Sequence, residues 1–161
     1  MIVRQSFLIR NATSSDADTI DRLCVEAYEE FRFRVGEINW PRLRETLSRT
    51  SELSREGELI VAEDSSGLLG VVLYVPPGRA RNAWLRTLAV APQQRRRGIG
   101  RQLMRECIER ARHDGAEGIE LTTADMMTVA LPMYERMGFA KQLDLGNRFG
   151  VPHARYVLKL R

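Results

Sequence analysis

The sequence predicts a single α/β domain, of the α+β type with a mixed sheet, containing six to seven strands and about four helices. Three observations support this fold class. The 161 residues suit one hydrophobic core. Short apolar or β-branched runs alternate with longer segments of helical periodicity, in the order β-α-α-β-β-β-α-β-α-β-β. Neither an internal repeat nor a linker interrupts that order, so we assign residues 1–161 to one domain.

The first third of the chain predicts one strand and two helices. The strand spans residues 7–10, and a capping box at residues 13–16 or 15–18 begins the first helix. Apolar residues recur at helical spacing from there to Phe31. A second, weaker helix is expected over residues 41–53.

The middle and end of the chain predict a hairpin and then alternating strands and helices. Residues 58–64 and 68–75 form the hairpin, because a Ser-Ser-Gly turn joins two apolar runs. A strand over residues 83–91 stops at Pro92, and a basic loop leads into a helix that starts near Ile99. The remaining predicted elements are a strand over 118–123, a helix over 127–137 that ends at Gly138, and final strands over 139–145 and 153–160.

Composition narrows the class of protein. Hydrophobic residues make up 43% and charged residues 29%, which excludes a disordered chain, and no apolar run approaches the ~20 residues that a membrane helix needs. We expect a soluble, cytoplasmic domain that does not engage a membrane. Cys24 and Cys107 lie on apolar helical stripes and are expected to be buried, reduced thiols. His113 and His153 lack partners at ligand spacing, so no metal is expected.

Charge is distributed unevenly along the chain. The net charge is +4, but the segment from Arg79 to Arg112 carries +8, whereas residues 11–64 carry −6. Such asymmetry indicates an anionic ligand near the middle of the chain. An Arg-rich helix face exposed to solvent would explain the count equally well.

The loop after Pro92 predicts a phosphate site. It ends at the first turn of a helix, whose unpaired N–H groups and positive dipole attract anions. Gly98 and Gly100 leave the backbone open to a phosphate oxygen. Nearby positive charge comes from Arg95, Arg96, Arg97 and Arg101.

Other phosphate-binding motifs fit less well. A Walker loop is absent from the sequence. A dinucleotide-binding fingerprint needs a small residue where Leu103 stands, although Glu120 falls about twenty residues on, as that fold would require. Nucleic acid remains a rival ligand for three consecutive arginines, but no aromatic residue lies among them to stack on bases.

Two motifs together resemble the GCN5-related N-acetyltransferases. The first is Arg95-x-x-Gly98-x-Gly100 after a strand ending Leu88-x-Val90-x-Pro92, which looks like motif A of that family. The second, residues 130–139, resembles the tyrosine and Gly-Phe segment that follows it. The resemblance implies this family's fold and an acetyl-CoA-dependent acyl transfer.

The resemblance also implies where acetyl-CoA binds. Backbone groups of the strand would hold the thioester and pantetheine arm, a bulge would open the slot between strands, and the amides of residues 95–101 would hold the pyrophosphate. The implied cofactor-binding residues are Leu88, Ala89, Val90, Arg95, Arg96, Arg97, Gly98, Ile99, Gly100 and Arg101.

The catalytic assignments are fewer. Tyr134 matches the family tyrosine, and a phenol can protonate a leaving thiolate, while the N–H of Leu88 could stabilise the oxyanion. Trp84 and Thr122 occupy positions where family members carry a glutamate base. We therefore nominate Glu120, which lies two residues before Thr122 and on the same face of that strand. Met127 stands where the family often has an asparagine.

The sequence therefore predicts an N-acetyltransferase that moves an acetyl group to a primary amine of a small molecule or peptide. The alternative is a non-catalytic acyl-CoA-binding or nucleic-acid-binding module, which the missing glutamates favour. Acidic residues of the first helix, Glu26, Glu29 and Glu30, would attract a cationic acceptor, although carboxylates on a solvent-exposed helix face are the more common explanation. The expected partners are acetyl-CoA and the amine, without nucleic acid or metal, and a homodimer is compatible with the sequence.

Overall fold

A seven-stranded mixed sheet forms the centre of the fold in a computed structural model that describes residues 6–160. Its order is β1-β2-β3-β4-β5-β7-β6, and every neighbouring pair is antiparallel except β4 with β5. This confirms the mixed sheet predicted from the sequence. The strands are β1 (Leu8–Asn11), β2 (Glu58–Asp64), β3 (Gly67–Val75), β4 (Asn82–Val90), β5 (Gly118–Ala124), β6 (Ala140–Arg148) and β7 (Val151–Lys159).

The two faces of the sheet are covered by different helices. Helices α4 and α5 pack on one face around Leu103 and Met104, and α1 and α3 pack on the other around Ile20 and Cys24. Burial raises the pKa of the Cys24 thiol to about 12, so this cysteine is a core residue, as expected. The helices are α1 (Ala17–Tyr28), α2 (Arg32–Val35), α3 (Trp40–Leu47), α4 (Ile99–His113) and α5 (Ala130–Arg136).

The predicted helix over residues 41–53 is wrong in its second half. Helix α3 ends at Leu47, and a separate 3₁₀ turn follows over Thr50–Arg55. The Thr50 hydroxyl donates to the Leu47 carbonyl at 2.6 Å, and the Ser51 N–H donates to Asp21 on α1 at 2.7 Å. These side-chain bonds replace the backbone bonds that a continuous helix would need.

The predicted boundaries of the last elements also shift. Helix α5 begins at Ala130 rather than at residue 127, because a tight turn follows β5 and the Thr128 N–H donates to the Met126 carbonyl at 2.9 Å. Strands β6 and β7 run into a two-residue turn, Phe149-Gly150, where both residues have positive φ (52° and 75°). That geometry is typical of a hairpin turn. Strand β6 therefore ends later, and β7 begins earlier, than the sequence predicts.

Helix α4 approaches the sheet closely at its first turn. A Cβ on Gly70 of β3 would lie 3.0 Å from the Ala89 carbonyl oxygen and 3.0 Å from the Ile99 side chain. Only glycine leaves room for this contact. The amino end of α4 is therefore fixed beside the end of β4, where the loop after Pro92 delivers it.

Two absences hold for the part of the chain that the structure describes. No helix between residues 6 and 160 is long and apolar enough to cross a membrane. Over the same residues, no cluster of three or more histidine, cysteine or carboxylate side chains could bind a metal ion.

An ionic network joins β1 to the start of α1. The Arg10 guanidinium donates to Asp16 at 2.8 Å and to Glu63 on β2 at 2.8 Å, while the Thr13 N–H donates to Asp16 at 2.8 Å. This confirms the first of the two predicted capping boxes. The bond to Arg10 lowers the pKa of Asp16 to about 2, although partial burial opposes the shift.

We expect Asp16→Asn to lower the free energy of unfolding at pH 7 by about 1–2 kcal/mol. The folded carboxyl has the lower pKa, so its contribution is complete above about pH 4 and is lost as pH falls towards 2. Urea unfolding at pH 7, 5 and 3 measures this, because the lowest pH lies inside the range in which the contribution is lost. Asp18→Asn, an exposed first-turn residue, is the matched control and should change little. Equal effects of the two changes would contradict the network.

Candidate active site

A bulge in β4 opens the sheet. Opposite β3, Val71 pairs with Ala89 and Leu73 pairs with Arg86, so β4 contains one extra residue in this interval. Thr87 lies within the bulge with a φ of 54°. Such a bulge bends its strand and increases the local twist. The bulge expected from the family resemblance is therefore present.

Strands β4 and β5 separate on the carboxyl side of their pairing. Their parallel register runs from Asn82 with Gly118 to Leu85 with Leu121 and, over residues 6–160, extends no further. The end of β4 and the end of β5 therefore diverge, and a slot remains between them. Slots of this kind, at the carboxyl ends of parallel strands, are common ligand sites.

Two cavities meet at this slot. One has a volume of about 420 Å³ and lies against the amino end of α4, and we call it the α4 cavity. The other, of about 600 Å³, extends over β5 to β7, and we call it the β7 cavity. Tyr28, Leu88 and Met127 line both, so they mark the junction.

The wall of the α4 cavity at the helix end is bare backbone. Gly98 precedes the helix with a φ of 76°, and the Gln102 N–H makes the first helical bond, to the Gly98 carbonyl at 3.0 Å. The N–H groups of Ile99, Gly100 and Arg101 are thus not used by the helix. A Cβ on Gly100 would point towards Val90 at 3.6 Å, which is ordinary contact, so the glycine keeps the cavity open rather than relieving a clash.

Positive charge surrounds this backbone surface. Arg95, Arg96 and Arg101 line the α4 cavity as the sequence predicts, and Arg136 on α5 joins them. Arg95 spans the cavity to α1, because it pairs with Glu30 at 2.5 Å and donates to the Ala27 carbonyl at 3.0 Å. The sequence does not predict a role for Arg136, because it lies on a separate helix from the loop after Pro92.

The side chain of Arg97 corrects one prediction. Its guanidinium turns away from the α4 cavity and donates to Asp64 at 3.1 Å and to Gln94 at 2.6 Å. Hydrogen bonds from Ser66 in turn lower the pKa of Asp64. Arg97 therefore fastens the loop to the β2–β3 turn, and it does not supply charge to the cavity.

Two tyrosines lie at the junction, Tyr28 half-buried and Tyr134 buried. The Tyr28 hydroxyl donates to the Leu88 carbonyl at 3.4 Å, and Tyr134, only 6% exposed, lines the β7 cavity beside Leu88. Burial raises the pKa of Tyr134, and proximity to Tyr28 adds to the shift. Both phenols keep their protons at neutral pH. The sequence did not single out Tyr28, because its helical spacing is that of a core aromatic.

The nominated base Glu120 does not reach the junction. It lies where β4 and β5 are still paired, opposite Trp84, and its carboxylate accepts a hydrogen bond from Asn82 at 2.9 Å. Trp84 and Thr122 do line the β7 cavity, as their alignment with the family glutamates implies. Among the described residues that line either cavity, Glu120 is absent.

The β7 cavity is apolar with a few charged groups. Glu56 and Arg86 form an ion pair at 2.5 Å, and the side chains of Arg148 and His153 also line the cavity. Three acidic residues were expected to attract a cationic acceptor. Glu30 lies in the α4 cavity, Glu29 pairs with Arg32, and Glu26 lines neither cavity. The structure therefore does not support an acidic wall. The apolar lining includes Leu43, Leu47, Leu53, Val75, Trp84, Met126, Met127, Phe149 and Val151.

Comparison with known proteins agrees with this geometry. The model of the acetyltransferase (GNAT) family matches residues 20–139. N-acetyltransferase 8F1 of Rattus norvegicus is 31% identical over 129 residues, which cover 73% of this chain and 57% of that protein. N-acetyltransferase family 8 member 2 of the same organism is 33% identical over 95 residues, 56% of this chain and 42% of that protein. The chain spans about half the length of these relatives.

Solved structures share the fold across nearly the whole chain. Ard1 from Thermoplasma volcanium superposes with a TM-score of 0.79 at 18% identity, covering 97% of this chain and 99% of that one. A GNAT family acetyltransferase from Elizabethkingia anophelis, solved with acetyl-CoA bound, gives 0.72 at 19% identity, covering 96% and 99%. The family model matches most of this chain, and the sheet is split at the position described above. The chain therefore belongs to the GNAT family of acetyltransferases.

Proposed function

We propose that this protein transfers an acetyl group from acetyl-CoA to a primary amine of a small molecule or peptide. The observation that carries the proposal is the junction, where the two cavities meet at the bulged end of β4. One cavity suits a nucleotide thioester, and the other leaves room for an acceptor to approach the same point. The rat relatives and the acetyl-CoA-bound neighbour support this assignment.

The α4 cavity fits the charge of acetyl-CoA. Three unused N–H groups converge on it, and Arg96, Arg101 and Arg136 lie around them. Each helix-end contact contributes about 0.3–1 kcal/mol, so several converging donors are needed to hold a diphosphate. The backbone of Leu88, Ala89 and Val90 would hold the pantetheine arm where β4 leaves β5.

Two groups at the junction would serve the chemistry. Acetyl-CoA, when bound, supplies the acetyl group as a thioester. The Leu88 N–H would donate to the thioester oxygen as negative charge develops there. The Tyr134 hydroxyl, whose raised pKa keeps it protonated, would donate its proton to the departing sulfur.

A non-catalytic acyl-CoA-binding module is the second candidate, and it rests on Trp84 and Thr122 at the usual glutamate positions. A nucleic-acid-binding module has less support. Of the three consecutive arginines, Arg95 and Arg97 are engaged by Glu30 and Asp64, so little of the run is available to a phosphate backbone.

Acetyl-CoA at 100 times its Kd is expected to stabilise the protein by about 2.7 kcal/mol, which raises Tm by roughly 5–11 °C. Differential scanning fluorimetry measures this, and an amine-library screen that follows free thiol release then tests turnover. A Tm shift without thiol release would favour the binding module. A shift with short RNA in place of acetyl-CoA would reject the proposal.

Gly100→Val is expected to weaken acetyl-CoA binding at least about 100-fold, because its side chain would occupy the α4 cavity. The added Cβ meets its neighbours at ordinary distances, so the fold should tolerate the change. Isothermal titration calorimetry gives the Kd. Arg105→Val places the same residue on the exposed face of α4 and should bind normally. Wild-type affinity in Gly100→Val would contradict the site.

Tyr134→Phe is expected to lower kcat about 100-fold and to leave the Kd for acetyl-CoA unchanged, because only the proton donor is lost. Steady-state kinetics with an acceptor from the screen measures kcat, and calorimetry measures the Kd for acetyl-CoA. Tyr74→Phe is the contrasting variant, because the Tyr74 hydroxyl donates to Asp114 at 2.6 Å, away from both cavities. That change should reduce stability and spare kcat. Normal turnover in Tyr134→Phe would contradict the proposed role of Tyr134 as proton donor.

A further inference from the structure

His153 lines the β7 cavity with one ring nitrogen already committed. It lies on β7, and its Nδ1 is 2.9 Å from the carbonyl oxygen of Val151. A carbonyl only accepts hydrogen bonds, so Nδ1 carries the proton and donates it. In the neutral ring Nε2 then has a free lone pair. The backbone thus fixes the tautomer in which Nε2 can accept a proton.

The position of His153 places it on the wall of the space in which an acceptor must sit. Its register partner on β5 is Ala124, beyond the point at which β4 and β5 separate. Ala124 lines the same cavity as His153. Leu88 and Tyr134 line the same cavity, so His153 shares the acceptor space with both proposed catalytic groups.

The other charged groups near His153 are poorly suited to take a proton. Glu56 is neutralised by Arg86 at 2.5 Å. Arg148 from β6 lines the same cavity. Arg155, two residues further along β7, stacks on Trp84, with its Cζ atom 5.4 Å from the ring centroid. Neither arginine can accept a proton, because guanidinium groups stay protonated. Among the described residues lining this cavity, His153 is the side-chain base that no ion pair engages.

We propose that His153 is the proton acceptor for the amine, an inference that rests on the proposed acetyl transfer. An ammonium acceptor must lose one proton before its nitrogen can attack, and Nε2 takes that proton and returns it to solvent. The N–C bond then forms as the C–S bond breaks. Tyr134 protonates the thiolate, and the second proton from the nitrogen restores its hydroxyl. One acetyl group is transferred and one proton is released.

The chain contains two histidines, which provides a matched pair of variants. We expect His153→Gln to lower kcat about 100-fold at pH 7 with the Kd for acetyl-CoA unchanged, and His113→Gln, on the exposed end of α4, to behave as wild type. The defect should shrink to less than about 10-fold near pH 9.5, because the neutral fraction of an alkyl amine with a pKa of ~10.4 rises roughly 300-fold between pH 7 and that pH. Fluorimetry establishes that both variants fold.

A second readout does not depend on turnover. The ¹⁵N spectrum of the histidine rings should show His153 as the Nδ1–H tautomer at neutral pH, and the His153→Gln variant assigns the signal. An Nε2–H tautomer, or equal kcat in His153→Gln and wild type at pH 7, would overturn the inference. Failure of the proposed function gives a different result, because wild-type protein would then bind acetyl-CoA but release no free thiol in the presence of any amine.

Discussion

The divergence of β4 from β5 is the constraint on which the rest of the site depends. Hydrogen bonding that continued past Leu85 would close the sheet, and neither cavity would reach Leu88. The bulge near Thr87 bends β4 out of register, at the cost of an unfavourable positive φ for a β-branched residue. Packing around Gly70 then fixes the amino end of α4 beside the opened strand.

The parts of the site that are local in sequence could be predicted from it. The loop from Pro92 to the first turn of α4 is one continuous segment, so its glycines and unused N–H groups follow from spacing alone. The strand order and the bulge needed the family resemblance as well. Boundaries failed where side chains compete with the backbone, as at Thr50, or where a turn uses positive φ, as at Phe149.

The residues that sequence reasoning missed are those that only tertiary structure brings together. Tyr28 and Arg136 come from helices far apart in the chain, and no spacing pattern connects either residue to the loop after Pro92. The prediction for Arg97 was wrong for a different reason. The position of a charged residue in the sequence does not show in which direction its side chain points. The acidic residues of α1 likewise could be counted but not oriented, because helical spacing does not show which residues face a cavity.

The side chains on the two sides of the junction differ in burial, and this difference would give the proton transfers of the proposed reaction a direction. Tyr134 lies deep in the core, where burial favours the neutral phenol, so it retains its proton until negative charge develops beside it. His153 is half-buried on the wall of the wider cavity, with Nδ1 held by Val151. In the proposed reaction, protons would therefore leave the amine on the open side and reach the sulfur on the buried side.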